Sequence, residues 1–264
     1  MKKFLSFIII MNLFVSSASA NGLNILTKKY LNNLHSQKIM LVMYHRLSEV
    51  FEEQNTYCIS PKDFEEDIYY LKNNNYIFAF PDEISVVSRK YPDKNIAVLT
   101  FDDGYESDYK YALDILQRYD AKATFFIIGS MIGEKYYMNE LQIKELSQNK
   151  CAKIGNHSYS IHQKNLEEII SLFSEEKNMI NIVNDFEKNK KILESITGKK
   201  TDILSYPNSV YNFYMDTALK NSKVCNISLS TEEKSFNYDV VWGRFNRSDK
   251  RTVKDIEELL NKKN

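Results

Sequence analysis

From about residue 39 onward, short apolar runs alternate with longer stretches whose apolar residues recur at helical spacing. Residues 40–44, 96–101, 124–128, 203–206 and 224–229 read as strands. Several are apolar at consecutive positions, the pattern of strands buried on both faces. Residues 61–73, 107–119, 139–148, 165–197 and 212–221 read as amphipathic helices between them. Pro61-Lys62-Asp63-Phe64 is a good helix opening, because proline is preorganised for the first turn and an acid complements the helix dipole. Polar residues 230–238 read as a loop and 252–262 as a closing helix. This alternation predicts an α/β fold with a mainly parallel sheet covered by helices, either an open doubly wound sheet or a barrel. Functional groups then gather where the strands end.

A chain of 264 residues can bury one substantial core, and neither a repeat nor a Gly/Ser linker divides it. Its 35 basic and 35 acidic residues leave no global field that would draw it to nucleic acid. The first residues stand apart: basic Lys2 and Lys3, a mostly apolar run over 4–15, then Ala18-Ser19-Ala20. This pattern predicts a signal peptide over residues 1–20, a mature chain from Asn21, and export to the periplasm or cell surface. The apolar run is well short of the roughly 20 residues a membrane span needs, so no stable insertion is expected after cleavage. Cys58, Cys151 and Cys225 cannot all pair and have no CxxC spacing. Apolar neighbours favour reading Cys151 and Cys225 as small buried hydrophobes rather than as a disulfide.

Asp102 and Asp103 end the apolar run 96–101, and Gly104 follows, so two carboxylates sit where a buried strand turns. Side chains of strand neighbours point to opposite faces, which suggests that one carboxylate binds a metal while the other faces the water the metal activates. The second element is Gly155-Asn156-His157-Ser158-Tyr159-Ser160-Ile161-His162. On a helix, five steps would leave the two histidines roughly 140° apart. On a loop after a short strand at 152–155 they can share an ion, and with one carboxylate they leave a position open for water.

Thr100-Phe101-Asp102-Asp103-Gly104 and Asn156-His157-Ser158-Tyr159-Ser160 resemble the first two signatures of the NodB-homology polysaccharide deacetylases, carbohydrate esterase family 4. Met43-Tyr44-His45, Tyr206-Pro207-Asn208-Ser209-Val210-Tyr211 and Gly243-Arg244-Phe245 resemble further motifs of its poly-N-acetylglucosamine deacetylase branch. The resemblance implies a distorted (β/α) barrel of the NodB-homology type, with residues 21–264 forming a single catalytic domain. By position, Asp103, His157 and His162 resemble the metal ligands, Asp102 the general base and His45 the general acid. Tyr206, Pro207 and Asn208 resemble the substrate loop, with an oxyanion N–H near Asn208. Tyr105 and Tyr159, beside the acidic and histidine motifs, are candidate sugar contacts, because tyrosine offers both a stacking face and a hydroxyl. Arg244 joins that group, with orientation of Asp102 as its other role, since no arginine precedes Pro207.

The resemblance therefore implies a metal-dependent hydrolase that removes N-acetyl groups from an amino-sugar polysaccharide. Two histidines and a carboxylate suit zinc, and cobalt, nickel or iron could use the same ligands. The competing readings are an O-acetyl esterase acting on a polysaccharide and a catalytically silent carbohydrate-binding protein of the same fold.

Overall fold

The computed structural model describes residues 37–50, 56–233, 236 and 241–263, so the expected signal peptide and part of the expected 230–238 loop lie outside the described residues. In chain order the elements are β1 (Ile39–Tyr44), β2 (Arg46–Leu47), β3 (Cys58–Ile59), α1 (Pro61–Asn73), β4 (Tyr76–Phe78), α2 (Ile84–Lys90), β5 (Asn95–Phe101) and α3 (Glu106–Tyr119). Then follow β6 (Ala123–Ile127), α4 (Glu140–Gln148), β7 (Ala152–Asn156), α5 (Leu166–Ser174), α6 (Met179–Thr197), β8 (Ile203–Ser205) and α7 (Phe213–Asn221). The chain ends on β9 (Ile227–Ser230), β10 (Trp242–Gly243), β11 (Phe245–Asn246) and α8 (Val253–Lys263).

Every ladder is parallel, and the order β9-β8-β7-β6-β5-β1 curls into a nearly closed barrel of the NodB type. β4 pairs with the first half of β5 and β6 with the second. Closure falls to one short segment. Trp242 and Gly243 pair with Leu229 and Ser230 of β9, while Phe245 and Asn246 pair with Val42 and Met43 of β1. Arg244 stands between the two pairings.

Strand alternation sorts the side chains. Met40, Val42, Tyr44, Ala97, Leu99, Phe101, Phe125 and Ile127 join one large core with residues of α1, α3, α4 and α8. The shared register puts Tyr44, Phe101 and Phe125 in one row, stacked with ring centroids 5.2 and 5.0 Å apart. The alternate positions Leu41, Ile96, Val98, Phe126, Ile203 and Leu229 form a separate apolar cluster. Continuing that alternate set toward the strand ends brings Thr100, Asp102, Ser205 and, beyond β7, His157, all buried. An apolar plug thus carries a polar layer at the C-terminal end of the strands.

Local signals explain most boundaries. Ser60 and Asp63 form a reciprocal capping box around Pro61, and α1 spans the predicted 61–73 with Phe64, Ile68 and Leu71 buried. The expected helix over 165–197 is instead two. α5 buries Ile169 and Phe173, and α6 buries Ile182, Val183, Phe186 and Leu193. In one continuous helix Phe173 and Ile182 would lie roughly 180° apart, so the chain must break for both stripes to face inward. The Asn178 side chain donates to the Leu172 carbonyl at that break. β4 and α2 were not expected; each is too short for a periodic pattern to register. All three cysteines are free and buried.

Candidate active site

Asp102 extends the β5 ladder, its N–H donating to the Tyr44 carbonyl at 3.0 Å. Asp103 then adopts φ 76° and Gly104 φ 83°, a left-handed turn that interrupts strand alternation. Neighbouring carboxylates were expected on opposite faces, and this turn overturns that expectation. His157 Nε2 lies 3.8 Å from Asp102 Oδ2 and 3.5 Å from Asp103 Oδ1, so both carboxylates face one opening.

His157 follows β7 directly, and its Nδ1 hydrogen-bonds the Ser205 carbonyl at 2.9 Å. A carbonyl can only accept, so Nδ1 carries the proton and Nε2 keeps a lone pair toward Asp103. His162 sits in the turn Ile161–Gln163, with its Nε2 3.3 Å from the same Asp103 oxygen. That oxygen is buried and has no hydrogen-bond partner among the described residues. One ligand atom from each of Asp103, His157 and His162 lies within 4.8 Å of the others. Two imidazole nitrogens converging on an orphaned carboxylate oxygen fit a divalent cation, because only positive charge reconciles three electron-rich atoms. Burial alone would lower the His157 pKa, but the Asp102 and Asp103 carboxylates raise it, whereas burial and His157 push His162 down to about 4.

Arg244 is fully buried and forks onto Asp102, with Nη1 2.7 Å from Oδ1 and Nη2 2.7 Å from Oδ2. Ser205 Oγ also donates to Asp102 Oδ2 at 3.0 Å, and Arg244 donates further to Thr100, Ser205 and the Ser230 carbonyl. Burial would raise the Asp102 carboxyl, but the guanidinium holds it well below the usual carboxylate range. His45 follows β1 directly, half-buried, with its ring centroid 5.0 Å from that of Tyr57. Its Nδ1 is buried with no hydrogen-bond partner among the described residues. Burial pushes its pKa down while Asp103 and Asp102 oppose the shift.

Asp102, His157, His162 and His45 line a cleft of about 370 Å³ with Met43, Tyr57, Tyr206, Asn208, Thr231, Glu233 and Asn246. A larger groove of about 490 Å³ beside Arg46, Tyr109 and Tyr136 contains none of the converging ligands. Chemistry rather than size therefore marks the site.

The sugar-contact expectations fare unevenly. Exposed Asn208 stands on the cleft wall with φ 49°. Tyr206 borders the cleft, but it is 1% exposed and its hydroxyl donates to Asp216 at 2.8 Å, so its ring offers no stacking face. Pro207 is buried behind it. Arg244 is corrected from sugar contact to orientation of Asp102, since it has no exposed surface. Tyr105 and Tyr159, both partly exposed, are not among the residues that line this cleft. Tyr105 stacks on Tyr137 with its hydroxyl toward Asp103, and Tyr159 lies under the Lys188 ammonium. Tyr57, Thr231, Glu233 and Asn246 were missed; they come from separate loops and strand ends and share no sequence motif.

The parallel barrel carries its paired carboxylates and two histidines at the strand ends, where barrels of this kind gather their functional groups. Residues 89–226, just over half the chain, match the family model described as polysaccharide deacetylase, and the chain belongs to that family. It is 30% identical over 190 residues to the Bacillus subtilis protein YxkH, whose name places it among polysaccharide deacetylases, covering 70% of this chain and 62% of that one. It is 27% identical over 170 residues to a Staphylococcus aureus poly-beta-1,6-N-acetyl-D-glucosamine N-deacetylase, covering 61% of this chain and 57% of that one. The chain thus spans about three fifths of the length of these curated relatives. The solved structure of IcaB from Ammonifex degensii shares the fold, with a TM-score of 0.71, 21% identity and coverage of 81% of this chain and 93% of that one.

Proposed function

We propose that this chain is an exported, metal-dependent N-deacetylase that hydrolyses acetamido groups of an amino-sugar polysaccharide. The observation that carries the reading is the convergence of Asp103, His157 and His162 beside an Arg244-locked Asp102 in a cleft that also holds His45. The named activity of the Staphylococcus aureus relative supports a poly-N-acetylglucosamine-like substrate. A leader over residues 1–20 would bring the enzyme to such a polymer, and no helix among the described residues is long and apolar enough to cross a membrane.

Hydrolysis of an amide needs an activated water, charge stabilisation at the carbonyl oxygen and a proton for the departing amine. Asp103, His157 and His162 would hold a divalent ion, with zinc suited to that donor set, and bound there it would supply Lewis acidity and a water nucleophilic near neutral pH. Asp102 accepts the proton of the attacking water. Arg244 and Ser205 already fix its carboxylate, so no reorientation is needed during reaction. The His157 link to Ser205 fixes the imidazole plane. The backbone N–H of Asn208 donates to the carbonyl oxygen as it becomes negative. Protonated His45 donates to the sugar nitrogen as the carbon–nitrogen bond breaks, which yields acetate and a free amine.

The test is acetate release by the purified chain from N-acetylglucosamine oligomers, poly-N-acetylglucosamine and acetylated xylan, with and without chelator. Chelator-sensitive release from the amino sugars is expected. Release from xylan alone would replace the amidase by an O-acetyl esterase, and no release from any acetylated glycan would leave a carbohydrate-binding protein.

A further inference from the structure

The two candidate histidine ligands are anchored unequally. His157 continues the β7 ladder, its N–H donating to the Ile127 carbonyl at 3.1 Å, and its ring is held by Ser205. His162 lies beyond a spacer whose first residue, Ser158, adopts φ 68°, a conformation disfavoured for any residue with a Cβ. The His162 N–H donates to Ser158 Oγ at 3.2 Å, so the position of His162 depends on the spacer's shape.

One face of α6 grips that spacer. Asp185 Oδ1 accepts the Tyr159 N–H at 2.7 Å, and Oδ2 accepts the Ser160 N–H at 3.0 Å and the Ser160 hydroxyl at 2.8 Å. One turn further along, Asn189 Nδ2 donates to the Ile127 carbonyl and to Asn156 Oδ1, each at 2.8 Å. Asn156 in turn donates to the Phe186 carbonyl at 2.8 Å and accepts the Ser158 N–H at 3.0 Å. The Lys188 ammonium lies 3.3 Å from the Tyr159 ring centroid. Positions 185, 188 and 189 share one helix face, so all three reach the loop together. The fit is close, since a Cβ on Gly129 would come within 2.2 Å of Asn189 Oδ1. The spacer's carbonyls are engaged as well, Ser158 and Tyr159 by the Gly129 and Ser130 N–H groups and Ser160 and Ile161 by those of Gln163 and Lys164, while Asp185 accepts the amides of Tyr159 and Ser160.

We propose that Asp185 and Asn189 are positioning residues that set the separation of His157 and His162, with α6 acting as the template on which the metal-binding loop is shaped. The proposal rests on the reading of Asp103, His157 and His162 as metal ligands. Neither α6 residue touches the ligand atoms. Asp185 gathers three donors of the spacer, and Asn189 ties the strand end before His157 to the neighbouring β6 carbonyl. Removing Asp185 leaves two amides without an acceptor and lets the spacer open toward solvent, which carries His162 away from Asp103.

The test compares metal affinity in the purified chain and in Asp185→Ala, Asp185→Asn and Glu187→Ala. Glu187 lies on the same helix but pairs with Lys191. Apoprotein is titrated with Zn²⁺ against a chromogenic chelator and with Co²⁺ by visible absorption, and the apoprotein's thermal unfolding is recorded alongside. Loss of an outer partner of a metal ligand typically weakens binding about 10- to 100-fold. That loss, with an altered Co²⁺ spectrum, is expected for Asp185→Ala at temperatures where it is folded. Asp185→Asn keeps one acceptor oxygen and should fall between, while Glu187→Ala should match the unsubstituted chain. Affinity and Co²⁺ spectrum unchanged in folded Asp185→Ala would overturn the proposal. Should Asp185→Ala fail to fold, the nearly isosteric Asp185→Asn decides by the same criterion. If the unsubstituted chain binds neither ion, the ligand assignment itself has failed, a result distinguishable from failure of the clamp.

Discussion

On one wall of the cleft, Asp102 accepts hydrogen bonds on both oxygens, His157 is fixed through Nδ1, and the spacer to His162 is tied to α6. On the opposite wall, His45 Nδ1 and Asn246 Oδ1 are buried with no hydrogen-bond partner among the described residues. Register explains why these two meet, since Asn246 pairs with Met43, two positions before His45. The first wall is tied by these hydrogen bonds before substrate arrives, with Asp103 Oδ1 left for a cation. The second keeps unspent hydrogen-bonding capacity where the departing amine and the sugar hydroxyls are proposed to sit. Unsatisfied buried polar atoms are costly, and His45 and Asn246 both line the cleft, where a ligand can complete them.

The most severe way to break this division is to remove the cation. Chelation should abolish acetate release, and added zinc or cobalt should restore it. His157→Ala or His162→Ala should lose metal and activity together. Asp102→Asn should keep its metal while losing rate, and Asp103→Asn should lose both. Equal metal loss in the two aspartate variants, measured by elemental analysis, would erase the distinction between base and ligand.

The second test attacks the opposite wall. His45→Ala should bind metal normally yet lose about 10² to 10⁴ in amide hydrolysis, the usual contribution of general acid catalysis. Hydrolysis of an activated aryl ester, whose leaving group needs little protonation, should suffer far less. Parallel losses on both substrates would mean that His45 shapes the site and that the proton comes from another group.

Arg244 offers a smaller test, on the stability of the prebuilt wall. Its removal leaves a buried carboxylate without its countercharge, and breaking a buried pair from one side typically costs about 3–5 kcal/mol. Urea denaturation of Arg244→Ala should show a loss of that order. Replacing both partners, Asp102→Leu with Arg244→Met, should recover much of the stability while remaining inactive. A double variant no more stable than Arg244→Ala would place the lost stability in the guanidinium's contacts with Thr100, Ser205 and Ser230.

How much of this was legible beforehand follows the same division. Motif residues at strand ends were readable because strand periodicity and the turn at Gly104 place them. Asp103, His157 and His162 do converge. The burial of Arg244 was not readable, because it depends on barrel closure by a segment whose two pairings are each two residues long. The break before α6 could have been read from the opposed stripes at Phe173 and Ile182. The role of Asp185 could not, since its partners Tyr159 and Ser160 lie on another element about 25 positions away. Aromatic content misled at Tyr206 and Tyr159: one ring fills the core and the other packs under Lys188.

The mildest test concerns the anchor of the substrate-side wall. Asp108 is buried in the first turn of α3, and its Oδ1 accepts the Leu47 N–H at 3.1 Å, which fixes the segment just beyond His45. Its Oδ2 is buried without a hydrogen-bond partner among the described residues. Burial, with Asp103 adding to it, pushes the Asp108 carboxyl well above the usual carboxylate range. The folded protein therefore binds this proton more tightly than the unfolded chain does. That contribution to stability is whole below the unfolded pKa of about 4 and is lost as pH rises through the folded value. Asp108→Asn keeps an acceptor for Leu47 and has no proton to lose. Its stability should be close to that of the unsubstituted chain near pH 4 and should exceed it increasingly toward pH 7. Each tenfold difference in the acid constant is worth about 1.4 kcal/mol. The measurement is a series of urea midpoints across that range. A gap that stays constant with pH, or that favours aspartate at pH 7, would show that the ionised carboxylate has a favourable partner, and the substrate-side wall would then be as fully satisfied as the one opposite.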